Sequence, residues 1–359
     1  MLIPMMTTAE YSSLAIVASF ILYLLAMVAH SLEWASIRGV PLKADAADTA
    51  QDPTRLRSDG YGRFGVILTG MGAVAHLIGV VMRGVAANRF PWGNMYEFVT
   101  AALLFAVIAY LFGVWRWGLR WLGMPVTLLL ALGNGLAVTV FYVAIAPLVP
   151  ALHSVWFIIH IVAACIAAAA INLGGLASII YLVKRSAVLR AEKAAKAATD
   201  SEGQDGGVDD ADDAGPAPVA AADPAPTSSG AVALATRRRQ TTAEPKLSGF
   251  MARVPSLAAI DRLAYRCHAF AFPVWTFTVA AGSVWAEYAW GRFWGWDPKE
   301  TWSFIAWVVY AGYLHARTTA GWRGRPAAWV NVVGLVIMIF NLTFVNLVSS
   351  GLHSYAGVE

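Results

Sequence analysis

Eight stretches of this chain, at about 12–30, 64–83, 97–114, 122–146, 154–183, 268–289, 300–317 and 326–348, are strongly apolar over about 18 residues or more. As a helix, a run of that length crosses the roughly 30 Å of hydrocarbon in a bilayer. The chain is therefore expected to be an all-α polytopic integral membrane protein with about eight transmembrane helices. The first run is too long for a signal peptide and no small-residue cleavage site follows it, so it reads as a retained helix. Charged residues make up 13% of the 359 positions, against about 25% in soluble domains. A soluble globular fold is excluded.

Basic residues divide unevenly between alternate connections. One side receives Arg38, Lys43, Arg55, Arg57 and Arg63, then Arg116 and Arg120, the segment from Lys184 to Arg266, and Arg317, Arg323 and Arg325. The other receives only Arg83, Arg89, Arg292 and Lys299, so 22 of the 26 Lys and Arg fall on one side and 4 on the other. The positive-inside rule then puts both termini outside and the 184–266 segment in the cytoplasm.

That segment changes character abruptly. "DSEGQDGGVDDADDAGPAPVAAADPAPTSSG" has almost no large apolar residue and cannot offset the entropy of ordering it. A disordered cytoplasmic linker is expected over 190–250, between a membrane domain of five helices (1–189) and one of three (251–359). "RRR" at 237–239 suits anionic lipid headgroups; no nucleic-acid site is expected. Cys165 and Cys267 are far apart, and no C-x-x-C occurs, so neither a dithiol nor a zinc site is expected from this chain.

The connection 290–302, "WGRFWGWDPKETW", carries four tryptophans and faces outward in this topology. Asp297, Pro298 and Glu300 fit an N-cap, a first helical position and a capping box, which accounts for both carboxylates without acid–base chemistry. Trp290, Trp294 and Trp296 are more than an interfacial belt needs. Gly291 and Gly295 between them let backbone approach a ligand closely. The pattern points to a planar, largely apolar ligand.

W-G-x-(F/Y)-W-x-W-D-P-K-E-T-W resembles the tryptophan-rich WWD motif of the haem-handling family, specifically the CcsA/ResC-type cytochrome c biogenesis proteins of System II. "FPWGNMYEF" (90–98), "SVWFIIH" (154–160) and "GLHSY" (351–355) are similar to further segments of that family. The resemblance covers most of the chain outside the linker. It implies that haem b is handled as cargo on a surface that includes Trp290, Trp294, Trp296, Asp297 and Trp302. It implies His160 and His353 as axial ligands of an outward-facing haem.

The same resemblance makes His315 a ligand of an inner, haem-entry site, with its second histidine from a ResB/CcsB-type membrane partner; His30 is the alternative second ligand. His315 follows Pro298 by 17 residues on one helix, about 26 Å at 1.5 Å per residue, too far to reach the outer site. His76 and Arg83, two turns apart and so on one helical face, and Glu97 match family positions without a fixed role. Glu97 also suits the positive end of a helix dipole. His153 and His268 have no implied role.

The expected function is cytochrome c maturation: the chain binds haem, delivers it to the outer face and presents it for thioether attachment to an apocytochrome C-x-x-C-H segment. It would be the haem-handling subunit of a holocytochrome c synthase, in the bacterial plasma membrane or, for a plastid chain, the thylakoid. A thioredoxin-like thiol reductant would serve it indirectly, and no catalytic residue is assigned. Two rival readings are a cytochrome b-like electron-transfer subunit and a transporter of another flat substrate. The first wants paired histidines about 14 apart on one helix, and no helix here carries them. The second wants helices broken at mid-membrane.

Overall fold

The computed structural model describes residues 6–37, 53–205, 247–348 and 352. The described residues form an all-α bundle: α1 (Thr8–Ala35), α2 (Pro53–Ala87), α3 (Met95–Trp117), α4 (Gly123–Thr139), α5 (Val155–Asp205), α6 (Phe250–Arg253), α7 (Leu257–Trp290), α8 (Pro298–Thr318), α9 (Arg325–Leu342) and α10 (Phe344–Val348). Among the described residues, seven segments are long and apolar enough to cross a membrane: Thr8–Ala35, Pro53–Ala87, Met95–Trp117, Leu119–Thr139, Val155–Ala198, Leu257–Trp290 and Arg325–Asn346. The protein is a polytopic integral membrane protein.

The eighth expected span forms as α8 but does not meet that standard of hydropathy. Lys299 and Glu300 at its start, His315 and Arg317 at its end, and two buried tyrosines, Tyr310 and Tyr313, dilute its apolar content.

Several helices outrun their apolar runs. The 35 residues of α2 rise about 52 Å at 1.5 Å per residue, so its N-terminal turns reach beyond the hydrocarbon. Helix α5 continues past the boundary expected at 190 to Asp205, because "VLRAEKAAKAA" is built from strong helix formers. Of the expected linker, residues 206–246 lie outside the described residues.

The run expected to be helical over 122–146 stops sooner, at Thr139. Residues 143–149 are non-helical, as Pro147 and Pro150 oppose continuation. Two carbonyls of this segment find arginine donors instead: Arg83 Nη2 donates to Val143 O at 2.6 Å and Arg89 Nη2 to Ala146 O at 3.4 Å.

Two close helix pairs organise the bundle, α1 with α2 and α5 with α7. The first pair meets across glycines. A Cβ on Gly65 would come within 2.8 Å of the His30 ring, and one on Gly72 within 2.6 Å of Tyr23. Small residues at such a seam let two backbones approach and gain dispersion contact, which lipid tails cannot replace. The largest buried cluster among the described residues gathers Tyr23, Tyr110, Leu130, Ala177 and Ile260 from α1, α3, α4, α5 and α7. Cys165 and Cys267 are both free thiols.

Candidate functional site

Helix α7 ends at Trp290, where Gly291 takes the left-handed conformation (φ 69°) and its N–H donates to Glu287 O at 2.9 Å. Trp296 also has positive φ, 57°, which is uncommon for a bulky residue. The turn there delivers the chain to Asp297, the N-cap of α8. Asp297 Oδ1 accepts from the Lys299 N–H at 2.9 Å. Glu300 Oε2 reciprocates, accepting from Asp297 N–H at 3.1 Å and Gly295 N–H at 2.8 Å. The expected capping box is present. The same short segment anchors two distant parts of the chain. Lys299 Nζ donates to Asn341 O at the end of α9 at 2.8 Å, and the Leu352 N–H donates to Asp297 Oδ2 at 2.8 Å.

The four motif tryptophans do not share one plane. Trp290 packs back on Trp285, with centroids 4.9 Å apart. Trp294 and Trp296 meet edge-on at 5.7 Å and 88°, and Trp296 is 66% exposed. Trp302 turns to Phe340 of α9 at 4.5 Å.

Beneath this loop lies a cavity of about 410 Å³, walled by α3, α4, α5, α7, α8 and α9. Its volume falls in the range, about 300–1,000 Å³, typical of pockets for small organic ligands. Leu132, Leu136, Phe157, Ile161 and Met338 supply apolar walls, and Trp294 is the motif tryptophan among its lining residues.

His160, one turn into α5, lies in the same wall. Its Nδ1 lies 2.8 Å from the Thr278 carbonyl of α7, which can only accept. Nδ1 therefore carries a proton, which in the neutral ring makes Nε2 the nitrogen able to ligate a metal. A carbonyl fixing the remote nitrogen is also the usual support of a ligating histidine. The ring stacks on Trp285 (5.8 Å, 25°), and Trp285 is itself held by an Nε1–H bond to Ala151 O at 2.8 Å. Gly282 faces the imidazole so closely that a Cβ would stand 2.7 Å from Nδ1. His160 is the residue of this wall that could hold the iron of a porphyrin.

His353 lies outside the described residues; Leu352, its neighbour in sequence, is the residue bonded to Asp297. His315 is exposed in the last turn of α8, well apart from the cavity. His76 and Arg83 do not come together: buried His76 meets the Tyr23 hydroxyl through Nδ1 at 3.2 Å. Arg83 instead joins Glu97, Nε to Oε1, at 3.0 Å. Buried His30 contacts Glu33 at 3.2 Å, and His268 lies against Tyr310 and Tyr313. Among the described residues no group of three or more His, Cys, Asp or Glu side chains is arranged to hold a metal ion.

Glu97 heads a buried charge cluster at the rim of the cavity. Besides Arg83, Arg89 Nη1 reaches its Oε2 at 2.6 Å and the Gly93 N–H donates to Oε2 at 2.7 Å. Asn94, the N-cap of α3, accepts from the Glu97 N–H at 3.0 Å. Gly93 and Asn94 both line the cavity. Sequence reading misses Arg89, Thr278, Gly282 and Trp285. Only the fold brings them to the site, and each lies outside the motifs that carry the resemblance.

A family described as "Cytochrome C assembly protein" matches residues 75–353. The chain is 33% identical over 301 residues to "Cytochrome c biogenesis protein CcsA" of Picosynechococcus sp., covering 82% of this chain and 88% of that one. It is 32% identical to the protein of that name from Gloeobacter violaceus, over 92% of each chain. It is 34% identical to the one from Synechocystis sp., over 80% and 87%. The fold is similar to that of a solved structure titled "Cytochrome c Heme Lyase CcmF", with a TM-score of 0.57 and 14% identity. That likeness covers 99% of this chain, which spans 50% of the solved one. A match across more than half of the chain, with relatives above 30% identity along most of its length, establishes that this chain belongs to the cytochrome c assembly protein family, as a CcsA-type member of System II.

Proposed function

We propose that the protein serves cytochrome c biogenesis as the haem-handling subunit of a System II synthase, taking haem b as cargo and presenting it at the outer membrane face. The observation that carries this reading is His160. Its Nδ1 is held by Thr278 O, and the imidazole stands in the wall of a mostly apolar cavity that Trp294 also lines. His353 supplies the second axial imidazole, and the bond between Leu352 and Asp297 supports its approach to the same loop. Imidazoles on both faces of the iron exclude stray ligands while the vinyl groups await thiols.

Haem enters at His315, with a second ligand from a ResB/CcsB-type partner, and both termini and the tryptophan loop face outward. The two membrane domains, 1–189 and 251–359, are joined by a cytoplasmic linker. An apocytochrome C-x-x-C-H segment, its cysteines kept reduced through a thioredoxin-like protein, docks over the loop. Attachment then gains from proximity of thiol and vinyl. The experiment is purification of the complex followed by a pyridine haemochrome spectrum. Stoichiometric b-type haem is expected. A haem-free protein that still supports cytochrome c maturation would contradict the reading.

A further inference from the structure

Glu300 uses only one of its two carboxylate oxygens in the capping box. Oε2 takes both N–H groups, from Gly295 and Asp297. Oε1 is buried and, among the described residues, nothing donates to it. The side chain is 7% exposed and lines the cavity that also holds His160 and Trp294. A buried carboxylate oxygen without a donor is costly, on the scale of a lost hydrogen bond to a charged group. Such groups persist in folded proteins where a ligand or a reaction uses them. Lys299 does not fill the role, because its Nζ is drawn to Asn341 O at 2.8 Å.

We propose that Glu300 is the proton carrier for thioether formation, a role that rests on the haem-presenting reading above. The reaction adds a cysteine S–H across a porphyrin vinyl group. Oε1 accepts the thiol proton as sulfur bonds to the vinyl carbon next to the ring. The same proton is then delivered to the terminal vinyl carbon. One S–H bond and one C=C π bond break, one C–S and one C–H bond form, and no electrons leave or enter. Glu300 ends as it began, so it acts as general base and then general acid. The fixed Oε2 gives the carboxylate a set orientation, while Oε1 has no donor among the described residues.

Glu300→Gln is the discriminating variant. Glutamine also serves as the third residue of a capping box, so its amide oxygen can keep the bonds of Oε2 while proton exchange is lost. In the purified synthase complex, supplied with reduced apocytochrome, haem content is expected to fall less than twofold. The yield of covalent haem per bound haem is expected to fall tenfold or more, with Glu300→Asp recovering part of it. Wild-type covalent yield in Glu300→Gln would overturn the proposal. So would a loss of yield that only follows a loss of haem, since the residue would then shape the pocket alone. A wild-type complex that never binds haem would instead remove the reading on which the proposal stands.

Discussion

Arg83 and Glu97, fourteen residues apart on successive helices, meet at 3.0 Å with exposures of 3% and 0%. Arg89 binds the other oxygen of the same carboxylate at 2.6 Å, so one buried negative charge holds two positive ones. Through Val143 O and Ala146 O these arginines also fix the non-helical segment after α4. Breaking a buried pair from one side leaves an uncompensated charge and costs about 3–5 kcal/mol. Glu97→Ala is expected to destabilise the purified protein by about that much and to lower its melting temperature in detergent. Arg89→Ala, whose side chain is the more exposed of the two arginines, is expected to cost less. Equal melting temperatures for wild type and Glu97→Ala would show that the cluster does not bear on stability.

The α1–α2 seam makes a sharper test of packing. A Cβ on Gly65 would stand 2.8 Å from the His30 ring, whereas one on Gly70 would meet nothing within 4 Å. Gly65→Ala is expected to destabilise by about 1–3 kcal/mol through overpacking. Gly70→Ala, on the same helix, is expected to be neutral or to stabilise by about 0.5–1 kcal/mol, because alanine has the higher helix propensity. Thermal unfolding of the two variants side by side reads the difference, and the opposite order would contradict the close approach.

The distribution of basic residues predicts the orientation. With Cys165 and Cys267 replaced by Ala, a cysteine at Arg292, which is exposed in the tryptophan loop, is expected to react with an impermeant maleimide on intact cells. A cysteine at Ser201, near the end of α5, is expected to react only after the membrane is opened. The reverse pattern would invert the topology and place the loop inside.

The all-α membrane class was legible because apolar runs of bilayer length leave few alternatives. The ends of the helices were less so. Pro147 and Pro150 mark in the sequence that residues 140–149 resist continuing α4, but the contacts that hold the segment, Arg83 to Val143 O and Arg89 to Ala146 O, are tertiary and local sequence does not record them. Helix α8 was legible through its capping box more than its hydropathy, which its ends and tyrosines lower. His160 stood out through its motif, but its support, Thr278 O from a helix 118 residues away, could not. The ring orientations of Trp290, Trp294, Trp296 and Trp302 depend on irregular backbone, where spacing carries no information about direction. Glu300 was hidden by its own capping role: one oxygen explained the residue, and only coordinates reveal the second.

The central claim is that His160 ligates haem iron from the cavity wall, and its most direct measurement is the optical and electron paramagnetic resonance spectrum of purified His160→Gly protein, with and without imidazole. Glycine removes the ligand and leaves room for a free imidazole in its place. The account predicts loss of the six-coordinate low-spin signature together with most of the haem, and recovery of both when imidazole is added. A variant that keeps wild-type haem content and an unchanged low-spin spectrum without imidazole would contradict it.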